Sequence, residues 1–97
     1  MPATPILSEH GDLALQGPIT FDNAAAMMER GLALLNRGEH VIDLAGVTEV
    51  DSSALSMLLE WKRAARQRGC TVRFIHLPTA LQRLAQLYGV SDLILSP

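Results

Sequence analysis

The sequence predicts an α/β fold, a single domain in which amphipathic helices pack on a mixed β-sheet. Strand-like and helix-like segments follow one another in the order β-β-α-β-α-β-α, which is typical of strands joined by helical crossovers. The third strand candidate contains the apolar run Val-Ile-Asp-Leu, typical of a parallel strand buried on both faces. A chain of 97 residues is long enough for one hydrophobic core and too short for two, so residues 1–97 are interpreted as one domain.

Composition and charge exclude several classes of protein. With 48% hydrophobic and 19% charged residues, the chain has enough apolar side chains for a packed core and is not expected to be disordered. The formal net charge of −2, with basic residues spread along the chain, argues against a nucleic-acid partner. Its apolar runs are far shorter than the roughly 20 residues that span a bilayer, so we expect no direct membrane insertion.

The N-terminus and the cysteine count indicate a cytoplasmic protein without a metal. The first residues, Met-Pro-Ala-Thr-Pro-Ile-Leu, have neither the basic segment nor the continuous apolar segment of a signal peptide. Cys70 is the single cysteine, which excludes an internal disulfide and a multi-cysteine zinc site. We therefore expect no disulfide and no cysteine-bound metal, and we assign no cofactor.

A β-hairpin is predicted at the start of the chain. Residues 6–8 and 13–16 are short extended candidates, and the Gly-Asp pair between them suits a tight connection. Gly17 and Pro18 are expected to end the second strand.

The first helix is expected to begin after Asp22 or Asn23, either of which can serve as its N-cap. The Asn-Arg-Gly sequence at residues 36–38 provides a helix stop. Between these signals, apolar residues recur at helical spacing, and the predicted buried face consists of Ala24, Met27, Met28, Gly31, Leu32 and Leu35.

The sheet is expected to become parallel at its third strand, predicted at residues 40–45. The second helix should run from about Ser52 to about Arg68, where Gly69 can end it. Its predicted buried face consists of Leu55, Leu58, Leu59 and Ala65.

The last strand is predicted at residues 71–77, where apolar and polar residues alternate. Thr79 and Gln82 have the spacing of a capping box, so a third helix should follow and stop at Gly89, before a short tail. Because all three helices are amphipathic, we expect one face of the sheet to be better protected than the other. The predicted buried face of the third helix consists of Leu81, Leu84, Ala85 and Tyr88.

The junction between the third strand and the second helix concentrates the polar residues that can carry function. Asp51, Ser52 and Ser53 stand where free backbone N–H groups and the helix dipole stabilise an anion. The same residue types dominate N-cap positions for purely local hydrogen-bonding reasons. An anion-tolerant site and a simple helix cap both stay open here, with Asp51 interpreted as the cap.

At this junction the sequence resembles the signature loop of STAS domains, which include the anti-sigma-factor antagonists. In those antagonists an anti-sigma kinase phosphorylates the hydroxyl directly after the aspartate, and the resemblance places that role at Ser52. Ala54 departs from the glycine that antagonists have there, and alanine lacks the backbone freedom of glycine. The matching residues are Asp43-Leu44 and Val50-Asp51-Ser52-Ser53-Ala54-Leu55.

Nearly the whole chain resembles the MlaB proteins, the STAS subunits of a Gram-negative ABC system that moves phospholipids between the outer and inner membranes. The matching segments are Gly11-Asp12-Leu13-Ala14-Leu15, residues 17–22, Ile42-Asp43-Leu44, Val50-Asp51-Ser52 and Leu84-Ala85-Gln86-Leu87-Tyr88. The resemblance implies a non-enzymatic accessory subunit that binds and stabilises an MlaF-like ABC ATPase. The complex would include an MlaE-like permease and an MlaD-like substrate-binding subunit, and it would hold this protein peripherally at the inner membrane.

Partner binding is expected on the polar side of the first half of the second helix. Ser52 takes this role by resemblance, and the residues on the same side are Ser53, Ser56, Glu60 and Arg63. Trp61 lies near the boundary between the two helix faces, so we include it as an interface anchor while core packing stays open. The basic residues of this helix can form a solvated face or a partner contact, and they are Lys62, Arg63, Arg66 and Arg68.

Two further function classes stay open. The runner-up is an anti-sigma-factor antagonist in which phosphorylation of Ser52 adds about −1.5 to −2 charge and repels the kinase partner. The third is a small hydrolase or transferase with Ser52 as nucleophile, which would need a nearby base. Glu49 and Asp51 are the carboxylates that could form an acid/base pair or a metal site in the predicted turn. The histidines are scattered in sequence, at His10, His40 and His76.

Overall fold

A computed structural model describes residues 4–7, 12–36 and 38–95 of the chain. Its elements follow the predicted order with one short helix added at the end. With their bounds, they are β1 (Thr4–Leu7), β2 (Leu13–Ile19), α1 (Ala24–Leu34), β3 (Glu39–Val50), α2 (Ser52–Arg68), β4 (Thr71–Ile75), α3 (Thr79–Leu87) and α4 (Ser91–Leu95).

The four strands form one mixed sheet in the order β1-β2-β3-β4. β1 is antiparallel to β2, which confirms the predicted hairpin, although Ser8 and most of the predicted turn lie outside the described residues. β2 pairs with β3, and β3 with β4, in parallel, so the sheet becomes parallel at β3 as predicted. The parallel strands bring the end of β3, where α2 begins, close to the end of β2.

The prediction that Gly17 and Pro18 end the second strand is wrong, because β2 continues to Ile19. Its pairing with β3 shifts register between Ala14 and Gln16, and again between Gly17 and Pro18. Such bulges let a strand accept a proline, which has no N–H for the ladder. Gly17 has φ of 83°, a left-handed value that glycine adopts without steric cost.

The helices protect one face of the sheet. Along β3, Ile42 and Leu44 are buried, while Val41 and Asp43, which alternate with them, are partly exposed. The predicted burial of this strand on both faces is therefore wrong, and the expectation of one better-protected face is correct. The strand also extends beyond the predicted residues 40–45, because its second half pairs with the bulged part of β2. No helix in the described ranges has the length and hydropathy of a membrane-spanning segment.

Helix α1 begins one residue after Asn23, as predicted, but Asn23 does not cap it with a side-chain hydrogen bond. Instead the Asn23 amide braces the preceding turn: its Oδ1 accepts the N–H of Thr20 at 2.9 Å, and its Nδ2 donates to the carbonyl of Pro18 at 2.8 Å. The predicted buried face is largely confirmed, with Met28 and Leu32 only partly buried.

Helix α2 has the predicted bounds. Gly69 ends it with φ of 72°, the left-handed conformation in which glycine commonly terminates helices. Of the residues predicted to face inward, Leu55, Leu58 and Ala65 are buried, whereas Leu59 is partly buried.

Strand β4 ends at Ile75 and not at residue 77 as predicted, because the next residue, His76, leaves the extended conformation with φ of 57°.

The rest of the C-terminal part differs from the prediction in three ways. Thr79 is the first residue of α3, after Pro78, and the Gln82 side chain donates to the carbonyl of Leu77 at 2.8 Å, so there is no capping box. Tyr88, expected to face inward, is 58% exposed because it lies just beyond the end of α3. The predicted tail contains α4, which buries Ile94 against the core.

Candidate partner-binding site

Asp51 organises the start of α2. One of its carboxylate oxygens, Oδ1, accepts the backbone N–H of Ser53 at 2.9 Å and also the Ser53 hydroxyl. The other, Oδ2, accepts the backbone N–H of Phe21 at 3.0 Å. The predicted helix cap is confirmed, and the same carboxylate joins the turn between β2 and α1 to the start of α2.

These hydrogen bonds also set the protonation of Asp51. The bond from the Ser53 hydroxyl, with smaller contributions from the backbone N–H groups of Phe21 and Ser53, holds the pKa of Asp51 below its ordinary value of 3.8. The carboxylate is therefore ionised at neutral pH and remains an acceptor for both segments.

Phe21 stands exposed beside the start of α2, and the sequence analysis did not identify it as a functional residue. Its ring is 80% exposed, although its backbone is held by Asp51 and its turn is braced by Asn23. Aromatic residues are enriched in the cores of protein–protein interfaces, so this ring is a candidate partner contact. The available signal was an aromatic residue in a polar turn, outside the helical spacing that begins at Ala24.

The structure separates the two serines that follow Asp51. Ser53 is partly buried, and its hydroxyl donates to the Asp51 carboxylate. Ser52 is exposed, and within the described part of the chain its hydroxyl forms no hydrogen bond. Ser52 is thus the hydroxyl available to a partner or to a kinase, whereas Ser53 stabilises the cap.

One side of α2 continues from Ser52 as a polar stripe. Four polar residues are spaced by four, four and three positions, which places them on one side of the helix. They are Ser52, Ser56, Glu60 and Arg63. We call these four residues the α2 polar face. Ser56 donates to the backbone carbonyl of Ser52 at 3.3 Å, so its hydroxyl stays close to the helix.

The second half of the α2 polar face carries an ion pair. Arg63 Nε donates to Glu60 Oε2 at 3.0 Å, and this hydrogen bond lowers the pKa of Glu60 and raises that of Arg63. Exposed pairs of this kind add little to stability, because water screens them. Their contribution is a fixed arrangement of two opposite charges on the surface.

The inclusion of Trp61 as an interface anchor is wrong. Its side chain is 0% exposed, its Nε1 donates to the carbonyl of Met28 at 2.9 Å, and its ring lies 6.5 Å from that of Phe74. Gly31 on α1 makes this packing possible, because a Cβ there would overlap the indole ring. Trp61 therefore joins α1 to α2 and faces away from the α2 polar face.

The basic half of α2 has mixed roles. Arg68 donates from Nη1 to the backbone carbonyls of Leu32 and Leu35, the latter at 2.9 Å, and so ties the end of α1 to α2. Arg66 is exposed, as is Arg63 in its pair on the polar face. Arg68 therefore has a structural role, whereas the sequence had left a solvated face and a partner contact open for it.

The sequence features considered for catalysis are dispersed in the structure. His40 Nε2 lies next to the backbone of Asn36, and His76 Nδ1 lies 3.0 Å from Asp43 Oδ1, while His10 is outside the described residues. Glu49 belongs to β3 rather than to a turn, because the strand runs to Val50. Across residues 12–36 and 38–95, no group of three His, Cys, Asp or Glu side chains could hold a metal ion.

Solved structures with a similar fold include two proteins described as anti-sigma factor antagonists. One, from Thermotoga maritima, has a TM-score of 0.74 and 12% sequence identity, over 96% of this chain and 83% of that chain. The other is SpoIIAA in its unphosphorylated form, with a TM-score of 0.66 and 8% identity, over 88% of this chain and 82% of that chain. At these identities the likeness shows a shared fold.

The sequence comparisons identify the family. No curated protein sequence shows a significant match to this chain. A family model described as "Mlab, STAS domain" matches residues 3–96, which is nearly the whole chain. The protein therefore belongs to the MlaB-type family of STAS domains.

Proposed function

We propose that this protein is a non-enzymatic accessory subunit that docks on the cytoplasmic ATPase of an ABC transporter for phospholipid movement between membranes. Membership of the MlaB-type STAS family supports this function. The structural observation that carries it is the Asp51 carboxylate, which ties the backbone of exposed Phe21 to the start of α2, where Ser52 is exposed. The docking surface consists of Phe21 and the α2 polar face.

The physical properties of this surface suit a protein partner. Phe21 can supply an apolar anchor, and the α2 polar face can supply hydrogen bonds and charge around it. Because Asp51 and Asn23 already hold the surrounding backbone, little conformational entropy is lost when a partner binds. Ser53 supports the surface through the cap rather than by direct contact.

An accessory subunit of this kind acts by mass action. If it binds only the assembled ATPase, it stabilises that state by about 2.7 kcal/mol when its concentration is a hundred times the dissociation constant. The partners would be an MlaF-like ATPase, an MlaE-like permease and an MlaD-like substrate-binding subunit. The protein would then lie at the cytoplasmic side of the inner membrane and serve outer-membrane lipid asymmetry through its partners.

The test is purification of the tagged protein from membranes of its native cells in mild detergent, followed by mass spectrometry of the co-purifying proteins. We expect an ABC ATPase and its permease to be recovered. Ser52→Arg should reduce their recovery by roughly tenfold or more, equivalent to about 1.4 kcal/mol, because a long cation would occupy the centre of the surface. Thr79→Arg is the matched control, since Thr79 is also an exposed first residue of a helix.

Two results would contradict the proposal, the first its transporter function and the second its docking surface. One is a preparation that contains no ABC ATPase although the tagged protein is abundant and folded. The other is equal ATPase recovery with Ser52→Arg and with Thr79→Arg, which would place the contact elsewhere on the domain.

A second candidate function, the anti-sigma-factor antagonist, is favoured by one observation. Ser52 is exposed at the start of a helix, where backbone N–H groups and the helix dipole tolerate a phosphate. Phosphorylation would place about −1.5 to −2 charge at the centre of the proposed docking surface and weaken binding there by repulsion and desolvation. Recovery of a soluble kinase together with phosphorylated Ser52 would establish this function in place of the first.

A further inference from the structure

A groove of about 470 Å³ lies between the second half of α2, the start of β4 and α4. Its volume falls within the range of roughly 300 to 1,000 Å³ that is typical of small-molecule sites. The apolar part of its lining comes from Leu59, Ala65, Val72 and Leu93. Neither the resemblance nor the docking surface accounts for this groove, which opens beside the end of α2.

The polar part of the groove is cationic. Lys62, Arg63 and Arg66 line it, and the lining residues in the described part of the chain include no Asp or Glu. Arg63 is turned toward Glu60 on the same helix, and Lys62 and Arg66 bring two further positive charges to the lining. An apolar surface with positive charge on one side is complementary to a molecule that has an apolar body and an anionic end.

Lys62 is already partly withdrawn from water. Its ammonium lies 5.6 Å from the centre of the Phe74 ring, and burial lowers the pKa of Lys62. A cation that has lost part of its hydration gains more from a nearby anion than a fully solvated one does. The position of Lys62 therefore strengthens the preference of the groove for an anionic group.

The size of the groove favours a small ligand over a protein. Nine residues of the described part of the chain line it, whereas a stable protein–protein interface uses about 20 to 30 residues on each side. We propose that the groove binds a single-chain amphiphile with an anionic head group, with its chain against Leu59 and Leu93 and its head at Lys62 and Arg66. The groove shares Arg63 with the proposed docking surface, but the head-group residues Lys62 and Arg66 lie outside that surface.

Cys70 gives a direct measure of occupancy, because this half-buried thiol lines the groove and is the single cysteine of the chain. The experiment measures the rate of Cys70 alkylation by iodoacetamide in the purified protein, with dodecanoate or dodecyl phosphate added below its micellar concentration. Dodecanol, which has the same chain without the charge, is the control ligand. Calorimetric titration measures the affinity for each compound in parallel.

We expect at least one of the two anions to bind and to slow alkylation roughly tenfold at saturation, and dodecanol to bind roughly tenfold more weakly. Arg66→Glu should weaken anion binding by a similar factor. Arg83→Glu, the same charge change at an exposed position of α3 outside the groove, should leave it unchanged. A preference for dodecanoate would indicate a free fatty acid, and a preference for dodecyl phosphate would indicate a phosphate-headed lipid.

Three results would overturn the proposal: no binding of either anion, equal affinity for dodecanol and the anions, or equal effects of the Arg66 and Arg83 variants. Thermal unfolding of both variants checks that each is folded. The ligand-binding assay uses the isolated chain, whereas the docking proposal is tested by co-purification from membranes. A negative result in either experiment therefore leaves the other proposal standing.

Discussion

Two aromatic residues, Phe21 in the turn before α1 and Trp61 between α1 and α2, lie in contrasting environments. Phe21 is exposed in a turn, and only its backbone is held, by Asp51. Trp61 is completely buried, donates a hydrogen bond to Met28 and occupies space that Gly31 leaves open. The difference indicates that the inner side of α2 maintains the fold, while its outer side and the adjoining turn are free to bind.

The largest expected effect on stability comes from Trp61→Ala. Loss of the buried indole leaves a cavity between α1 and α2 and removes the hydrogen bond to the Met28 carbonyl, so the free energy of unfolding should fall by about 3 to 5 kcal/mol. Urea denaturation followed by circular dichroism measures it. Trp61→Phe, which retains a ring, should cost clearly less, and a loss below about 1 kcal/mol for Trp61→Ala would contradict the structural role of this residue.

An intermediate effect on stability is expected at Asp51, which holds the backbone of Phe21 and caps the helix that contains Trp61. Asp51→Ala removes the cap of α2 and the acceptor for Phe21, so it should lower the free energy of unfolding by about 0.5 to 2 kcal/mol. Asp51→Asn, which keeps a neutral acceptor, should cost less. Equal stability of Asp51→Ala and the unmodified protein would show that the cap is dispensable.

The lowered pKa of Asp51 predicts that the stability of the protein depends on pH. Because the folded-state pKa of Asp51 is below 3.8, its ionised form contributes stability that is fully present above pH 3.8 and is lost as the pH falls through the lower folded value. The stability difference between the unmodified protein and Asp51→Asn should therefore shrink on acidification below pH 3.8. Urea denaturation at pH 7 and near pH 3 checks the sign.

The smallest effect on stability is expected for Phe21→Ala, within about 0.5 kcal/mol of the unmodified protein, because the ring is exposed. If Phe21 anchors a partner, the same change should reduce ATPase recovery in the purification described above. Leu87→Ala is the matched control, since Leu87 is an exposed apolar residue on α3. A large loss of stability in Phe21→Ala would show that the ring is part of the core. Equal ATPase recovery with Phe21→Ala and Leu87→Ala would show that Phe21 does not anchor the partner.

The predictions from sequence succeeded where the signal is local. The bounds of α2 follow from Asp51 at one end and Gly69 at the other, each of which acts on the backbone within a few residues. The hairpin was likewise predictable from short segments, whereas the parallel pairing of β3 follows from the helix that joins it to β2. At Tyr88 the helical spacing was extended one residue beyond the end of α3, and the exposure of that residue was missed.

The candidate site was predicted in part. Asp51 was correctly identified as the cap, and Ser52 is on the surface as expected. Phe21 was missed because its proximity to Ser52 depends on a hydrogen bond between residues 30 positions apart. Trp61 was left open between core and interface because its neighbours in sequence, including Glu60, are partly exposed while its spatial neighbours belong to α1.

By itself, the sequence determined the order of the elements, the single apolar core and the capped start of α2, because periodicity and capping act between residues close in the chain. Only the tertiary structure decided that Phe21 joins the Ser52 surface, that Gly31 receives Trp61, and that α4 and β4 enclose a cationic groove with α2. The physical reason is that these arrangements depend on packing and hydrogen bonds between distant segments, which sequence spacing does not encode.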